Sequence, residues 1–268
     1  MACAQVKSIF YKEGMTKPTL DQIISGKRPK PLRALIYGPG GIGKSYWAAQ
    51  WRNSLVLDIE DGLGGIDCAS LPLKGAEWAT VIDALEMLAN EEHEYKTVVI
   101  DSLDWLERLM HLDICIQRGC ASIGDIQYGA GYVQALTYFE KLVKLLEDLR
   151  EQGMNIVLIC HAATKEVKDP TAQLHNKWQL ALHKQAAEKM YQWSDCTLFA
   201  KQEITILTEK KDFGGQRKRA GGGERRMYCN DSPTYQAKNR YDLPDEMPLD
   251  YEIFRNHITN YFKEGTDA

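Results

Sequence analysis

The chain has 268 residues, 44% of them apolar and 26% charged, which is the make-up of a globular protein able to bury a sizeable core. No apolar run approaches the roughly 20 residues that span a bilayer, and the first residues lack the apolar stretch of a secretion signal. A net charge of −4 excludes a chain that is basic throughout, and seven cysteines with no C-x-x-C pair predict reduced thiols in a cytoplasmic protein rather than a disulfide framework or a zinc site.

Residues 1–31 are polar and end in a basic, proline-broken KRPKP linker. Arg33–Tyr37 is short, apolar and bounded by proline and glycine, so it reads as a buried strand. A glycine-rich stretch follows, and Ser45–Arg52 reads as a helix. Ser54–Ile59 is a second strand. Ala76–Glu92 carries Trp78, Val81, Ile82, Leu85 and Leu88 at helical spacing. Thr97–Ile100 is a third strand ending in Asp101, and Leu103–Arg118 a helix. A glycine-punctuated loop covers Gly119–Gly131. Tyr132–Gln152 is a long amphipathic helix, with Gly153 placed to close it. Asn155–Cys160 is a fourth strand ending at His161. Strands alternating with helices predict an α/β fold with a mostly parallel sheet and helices on both faces. After Asp195 the rhythm changes: DCTLFAKQE, ITILTEK and RRMYCN predict an antiparallel extension. Tyr251–Phe262 is a surface helix. The expected organisation is an N-terminal segment over 1–31, a core over 32–245 and a helical tail over 246–268.

The glycine-rich stretch is G-x-x-x-x-G-K-S, Gly38 to Ser45, between a predicted strand and a predicted helix, the context this phosphate-binding motif needs. Without side chains in the way, successive backbone N–H groups can face phosphate oxygens, and the helix start adds partial positive charge. Gly38, Pro39, Gly40, Gly41, Ile42, Gly43, Lys44, Ser45 and Tyr46 are therefore the expected ATP-binding residues. Lys44 reaches the β- and γ-phosphates, and the Ser45 hydroxyl ligates Mg²⁺. Asp101, closing an apolar strand, is the expected acidic partner for that metal; the alternative is that it caps the next helix, which Ser102 or Asp104 could do equally well. Glu60 is placed to orient the attacking water, with Asp58 and Asp61 as rivals and Asp58 sharing its face by strand alternation. His161, at the end of the fourth strand, is placed to contact the γ-phosphate.

These residues resemble the RecA, RadA and DnaB branch of P-loop ATPases: the G-P-x-x-x-G-K-S motif, a strand ending D-x-E at Asp58 and Glu60, and V-I-D-S over Val99–Ser102. That resemblance implies a RecA-like fold. It assigns the catalytic glutamate to Glu60 and a switch role to His161, where the family usually has Gln. Late in the chain, Ala237-Lys238-Asn239-Arg240 resembles the paired basic residues that reach a neighbouring subunit's γ-phosphate, with Lys238 and Arg240 co-facial on a strand. More closely, L-I-Y-G-P-x-G-x-G-K-S, Leu57–Asp67 and A-K-N-R-Y-x-L-P over Ala237–Pro244 resemble phage-encoded, core-only ATP-binding proteins of the AAA-domain type linked to single-strand annealing and recombination. The implied function is ATP hydrolysis coupled to single-stranded DNA binding by a homo-oligomer, ring or filament, in the host cytoplasm, with a single-strand DNA-binding protein as partner and no membrane. A helicase loader, a translocating motor and a nucleotide-gated module with negligible turnover stand as alternatives.

Three segments could meet the DNA. One is the Gly119–Gly131 loop. Another is the loop expected after His161, where Lys165, Lys168 and Lys177 flank Trp178 as cations and a stacking ring. The last is Lys210–Arg226, including Arg217, Lys218 and Arg219. Its excess of five positive charges, set among glycines, predicts a mobile basic hairpin.

Overall fold

The computed structural model describes residues 19–167, 174–210 and 216–263. Its centre is β1 (Arg33–Gly38). On one side lie β5 (Asn155–Val167), β4 (Thr97–Asp101), β2 (Ser54–Asp58) and β3 (Ala69–Pro72); on the other lie β7 (Cys196–Lys210), β8 (Gln216–Tyr228) and β9 (Glu246–Pro248). In this order β3, β2, β4, β5, β1 and β7 run parallel, and β8 and β9 join antiparallel. The sequence explains the parallel block. LIY, SLVL, TVVI and IVLIC are apolar on both alternating faces, as strands covered by helices on both sides must be. Leu35 and Tyr37 face one core with α2 (Trp78–Asn90), α3 (Leu103–Arg118), α4 (Ala130–Glu151) and α5 (Lys184–Trp193). Ala34 and Ile36 face the other, with α1 (Lys44–Ala49) and α6 (Tyr251–Lys263). This is the expected α/β architecture.

Four expectations change in detail. β5 does not stop at Cys160. It pairs with β1 as far as His161 opposite Gly38, then leaves the main sheet and pairs with β6 (His175–Leu180) from Ala162–Leu180 to Val167–His175. The expected loop after His161 is therefore largely a two-stranded arm. β7 is one strand, parallel to β1, with an irregularity between Gln202 and Ile204, so the antiparallel extension begins only at β8. The glycine run Gly221–Gly223 of the expected hairpin lies within β8, where a Cβ on Gly222 would collide with the Gln202 side chain. Finally, the segment beyond residue 245 shares the main packing. β9 extends the sheet, and α6 buries Phe254 with ring centroids 5.2 Å from Trp47 and 5.7 Å from Trp51.

Among the described residues no cysteine is bridged, and no helix is long and apolar enough to cross a membrane.

Candidate nucleotide-binding site

The C-terminal ends of parallel strands converge on a cleft of about 300 Å³, lined by Gly40, Gly41, Gly43, Lys44, Ser45, Tyr46, Glu60, Gly62, Ile66, Asp101 and His161. Larger hollows exist elsewhere. One of about 640 Å³ lies beside α5, but the convergent acid, base and phosphate-type loop occur in the smaller cleft. Such edges are where open α/β sheets bind ligands.

The loop from Gly38 to Gly43 connects β1 to α1 and needs glycine at two points for separate reasons. A Cβ on Gly38 would strike the Ala200 carbonyl oxygen of β7, so the loop leaves the sheet pressed against its neighbour. Gly43 has φ of 110°, in the region other residues avoid, and this turns the chain into α1. Lys44 is buried, and its Nζ donates to its own loop's Gly38 and Pro39 carbonyls at 3.0 and 2.9 Å. Burial lowers its pKa; Asp101 opposes that shift. An ammonium held this way sits where phosphate oxygens, stronger acceptors than carbonyls, could draw it off.

Asp101 ends β4 opposite Asp58 of β2 and is 4% exposed. Its Oδ2 has no hydrogen-bond partner. Burial pushes its pKa up to about 6; the nearby Ser45 hydroxyl pulls the other way, and Glu60 and Asp58 add to the rise. A buried carboxylate with an orphaned oxygen beside a hydroxyl is a hard-oxygen set that suits Mg²⁺. Asp101 and Ser45 therefore fit the metal that the motif implies.

The three rival acids at the end of β2 and in the turn after it separate cleanly. β2 ends at Asp58, so Glu60 lies in the following turn, not on the strand; pleat alternation is not what places it. Asp58 is committed to that turn, its Oδ1 accepting the Asp61 and Gly62 amides at 2.8 and 3.1 Å. Asp61 points outward and pairs with Lys74 at 2.6 Å. Glu60 faces the cleft. Its amide and that of Ile59 both donate to the Asp101 carbonyl, and its Oε2 accepts from Ser102 Oγ at 3.1 Å. Its Oε1 lies 3.7 Å from His161 Nε2.

His161 is held from behind by Asp104, in the first turn of α3. The Asp104 carboxylate accepts from the His161 amide at 3.0 Å and from ring Nδ1 at 3.1–3.2 Å. Its hydrogen bond to Asp104 raises the His161 pKa against burial. Sequence reasoning treated Asp104 only as a helix cap. An acid in a helix's first turn is commonplace, and its one distinguishing signal is its place on α3's apolar face, between Leu103 and Leu106.

The remaining candidates lie away from the cleft. Lys238 and Arg240 are on an irregular segment touching β7 through a single bridge at Thr197, not on a strand. Lys238 Nζ donates to the carbonyls of Tyr191, Gln192 and Ser194 at 2.7–3.0 Å, closing the end of α5. Arg240 Nη1 meets Asp195 Oδ1 at 3.0 Å with its side chain about half exposed. Both lie near the N-terminal edge of the sheet, opposite their own phosphate-type loop. On the arm, Lys165 donates to the Leu182 carbonyl at 2.9 Å and Lys177 pairs with Asp231 at 2.8 Å. Trp178 stacks on Phe199 with centroids 5.9 Å apart. Arg217, Lys218 and Arg219 are backbone positions of β8 whose side chains, like all of Lys168, lie outside the described residues.

A glycine loop after a central parallel strand, a buried lysine and serine opening the next helix, and a buried acid ending a nearby strand define a P-loop nucleotide-binding protein. A family model described as an AAA domain matches residues 30–241, and the chain belongs to this family of P-loop ATPases. ATPases of this type use ATP and typically Mg²⁺. No curated protein matches the chain.

Proposed function

We propose that this chain is an ATP-hydrolysing protein that binds single-stranded DNA as an oligomer and serves phage-type recombination or annealing. The observation that carries the hydrolytic half is Glu60. It alone of three neighbouring acids faces the cleft, beside His161 and next to the Asp101–Ser45 pair. In this reading Lys44 leaves its loop carbonyls to meet the β- and γ-phosphates of ATP. Glu60 holds the attacking water and takes its proton. His161 donates to the γ-phosphate as charge develops there. Asp101 and Ser45 would hold Mg²⁺, which neutralises phosphate charge when bound.

The DNA half is supported by the local excess of positive charge over Lys210–Arg226 and by the arm that begins where His161 ends its pairing with β1. Arg240, half exposed, is the better candidate for a residue lent to a neighbour's ATP; Lys238 already satisfies three carbonyls.

The test is ATP turnover with Mg²⁺, measured with and without a single-stranded oligonucleotide, alongside DNA affinity against salt. Stimulated turnover and affinity that falls steeply with salt are expected. Turnover indifferent to DNA, with no salt-dependent binding, would remove the DNA half and leave the nucleotide half standing. For the oligomer, mixing Lys44→Ala with Arg240→Ala subunits should recover turnover that neither shows alone.

A further inference from the structure

We infer that Asp104 is a positioning residue for hydrolysis, fixing the His161 imidazole so that Nε2 is directed at Glu60 and the cleft. The inference rests on the cleft being the ATPase site proposed above.

Asp104 is 5% exposed, and burying an ionised carboxylate is costly unless its oxygens are paired. Burial works to raise its pKa, yet the value is lowered, because the His161 ring and amide both bond the ionised form. An ionised carboxylate only accepts, so a ring nitrogen 3.1–3.2 Å from both its oxygens must be Nδ1–H. Nε2 is then the atom left for the cleft, 3.7 Å from Glu60 Oε1.

The same carboxylate also holds the His161 amide at 3.0 Å. Ring and main chain are thus tied to one group. This happens where β5 changes partner, with His161 opposite Gly38 of the P-loop strand and Ala162 opposite Leu180 of the arm. The anchor therefore sits between nucleotide loop and arm. The charged groups facing His161 are Asp104 from α3, Glu60 from the turn after β2 and Lys44 from α1; the two carboxylates favour the imidazolium and Lys44 opposes it. An imidazolium keeps a proton on Nε2, the donor that developing γ-phosphate charge requires. Orientation and protonation of a reactive imidazole by a buried carboxylate is a known function of such a neighbour.

The test is Asp104→Asn, which keeps an acceptor for the amide and removes the charge. Ring titration is followed by NMR in nucleotide-free protein; the chain has six histidines, and His161→Gln identifies the relevant signal. In the wild type His161 should titrate above the ordinary histidine value of about 6.5, and in Asp104→Asn at least one pH unit lower. With saturating ATP and Mg²⁺, the alkaline limb of kcat should move down by the same amount. At pH 8 this is roughly a tenfold loss if the limb falls below pH 7, with KM for ATP changed less than threefold. His161→Gln should abolish the limb, and the double variant should lose nothing further. An unmoved titration and limb in Asp104→Asn, with only a lower melting point, overturns the proposal. Should that variant fail to fold, wild-type His161 titrating at or below the ordinary value overturns it equally. A wild type without turnover would refute the ATPase reading, while the NMR titration still decides whether Asp104 controls the ring.

Discussion

Asp101 and Asp195 are each 4% exposed and lie at opposite edges of the same sheet, yet their carboxylates behave oppositely. Asp195, just before β7, is surrounded by partners. Arg33 reaches it through Nε, Nη2 and its amide, Arg150 approaches at 3.5 Å and Arg240 at 3.0 Å, and Glu147 ties Arg33 and Arg150 together. Burial alone would raise its pKa, but the bonds and charge of Arg33 hold it below the usual carboxylate range. Asp101 has one hydroxyl, an orphaned oxygen and two acidic neighbours, and burial drives it up to about 6. A buried charge with all its partners fixes the fold. One left short of partners stabilises nothing by its charge, and such groups cluster at functional sites.

The contrast can be broken first by removing cations. Lys44→Ala should abolish ATP-dependent stabilisation and turnover, while the melting point of the free protein moves by no more than a few degrees. Lys44 Nζ donates to carbonyls of its own loop and so ties no distant element into the fold. ATP-dependent shifts in the melting curve check it.

Asp195→Ala should act on the other edge and on stability. It leaves the half-buried Arg33 and Arg150 with a partner missing, at a cost of about 3 kcal/mol, read from urea unfolding at pH 7. The pH dependence has a definite sign. With its folded pKa held low, Asp195 contributes stability that is complete above the unfolded carboxylate value of about 4 and is lost as pH falls through the folded value. Arg240→Ala, which removes a half-exposed partner, should cost less than about 1 kcal/mol.

Asp101→Asn should give a smaller effect of opposite sign. Because its folded pKa is raised, ionising Asp101 costs stability, and that loss develops as pH rises from about 4 to about 6. A neutral amide should therefore raise the stability of the free protein at pH 7 by ~1–2 kcal/mol while weakening Mg²⁺-dependent ATP binding. Thermal melts with and without Mg²⁺ and ATP check both.

The elements nearest the cleft were the most legible in the sequence. The strands that carry the P-loop and Asp101 are short, apolar on both faces and sharply bounded, so composition alone marks them. The helix Leu103–Arg118 is legible because Gly119, with φ of 65°, ends it. Elsewhere the signals compete. The continuation of β5 past His161 is half-buried and mixed in polarity, which reads as loop until β6 is there to pair with it. The glycines Gly221–Gly223 carry no strand signal because intrinsic propensity ignores a partner strand, and β7 supplies one. β3 is a four-residue, largely exposed edge strand with no pattern to detect. Among the site residues, Lys44, Ser45, Glu60 and Asp101 come together in the cleft, with His161 beside them. Asp104 was invisible as anything but a cap because its role depends on a residue 57 positions later.

Steady-state Mg²⁺-dependent ATP turnover, compared between Glu60→Gln and Asp61→Asn with ATP affinity measured in parallel, tests most directly whether this cleft hydrolyses ATP. Glu60→Gln should bind ATP about as tightly as the wild type and lose at least about a hundredfold in turnover, since an amide cannot accept the proton of the attacking water. Asp61→Asn, which removes only an exposed pair with Lys74, should stay within a factor of two or so of wild type. A Glu60→Gln protein that turns over normally while Asp61→Asn is dead would contradict the assignment of the catalytic carboxylate.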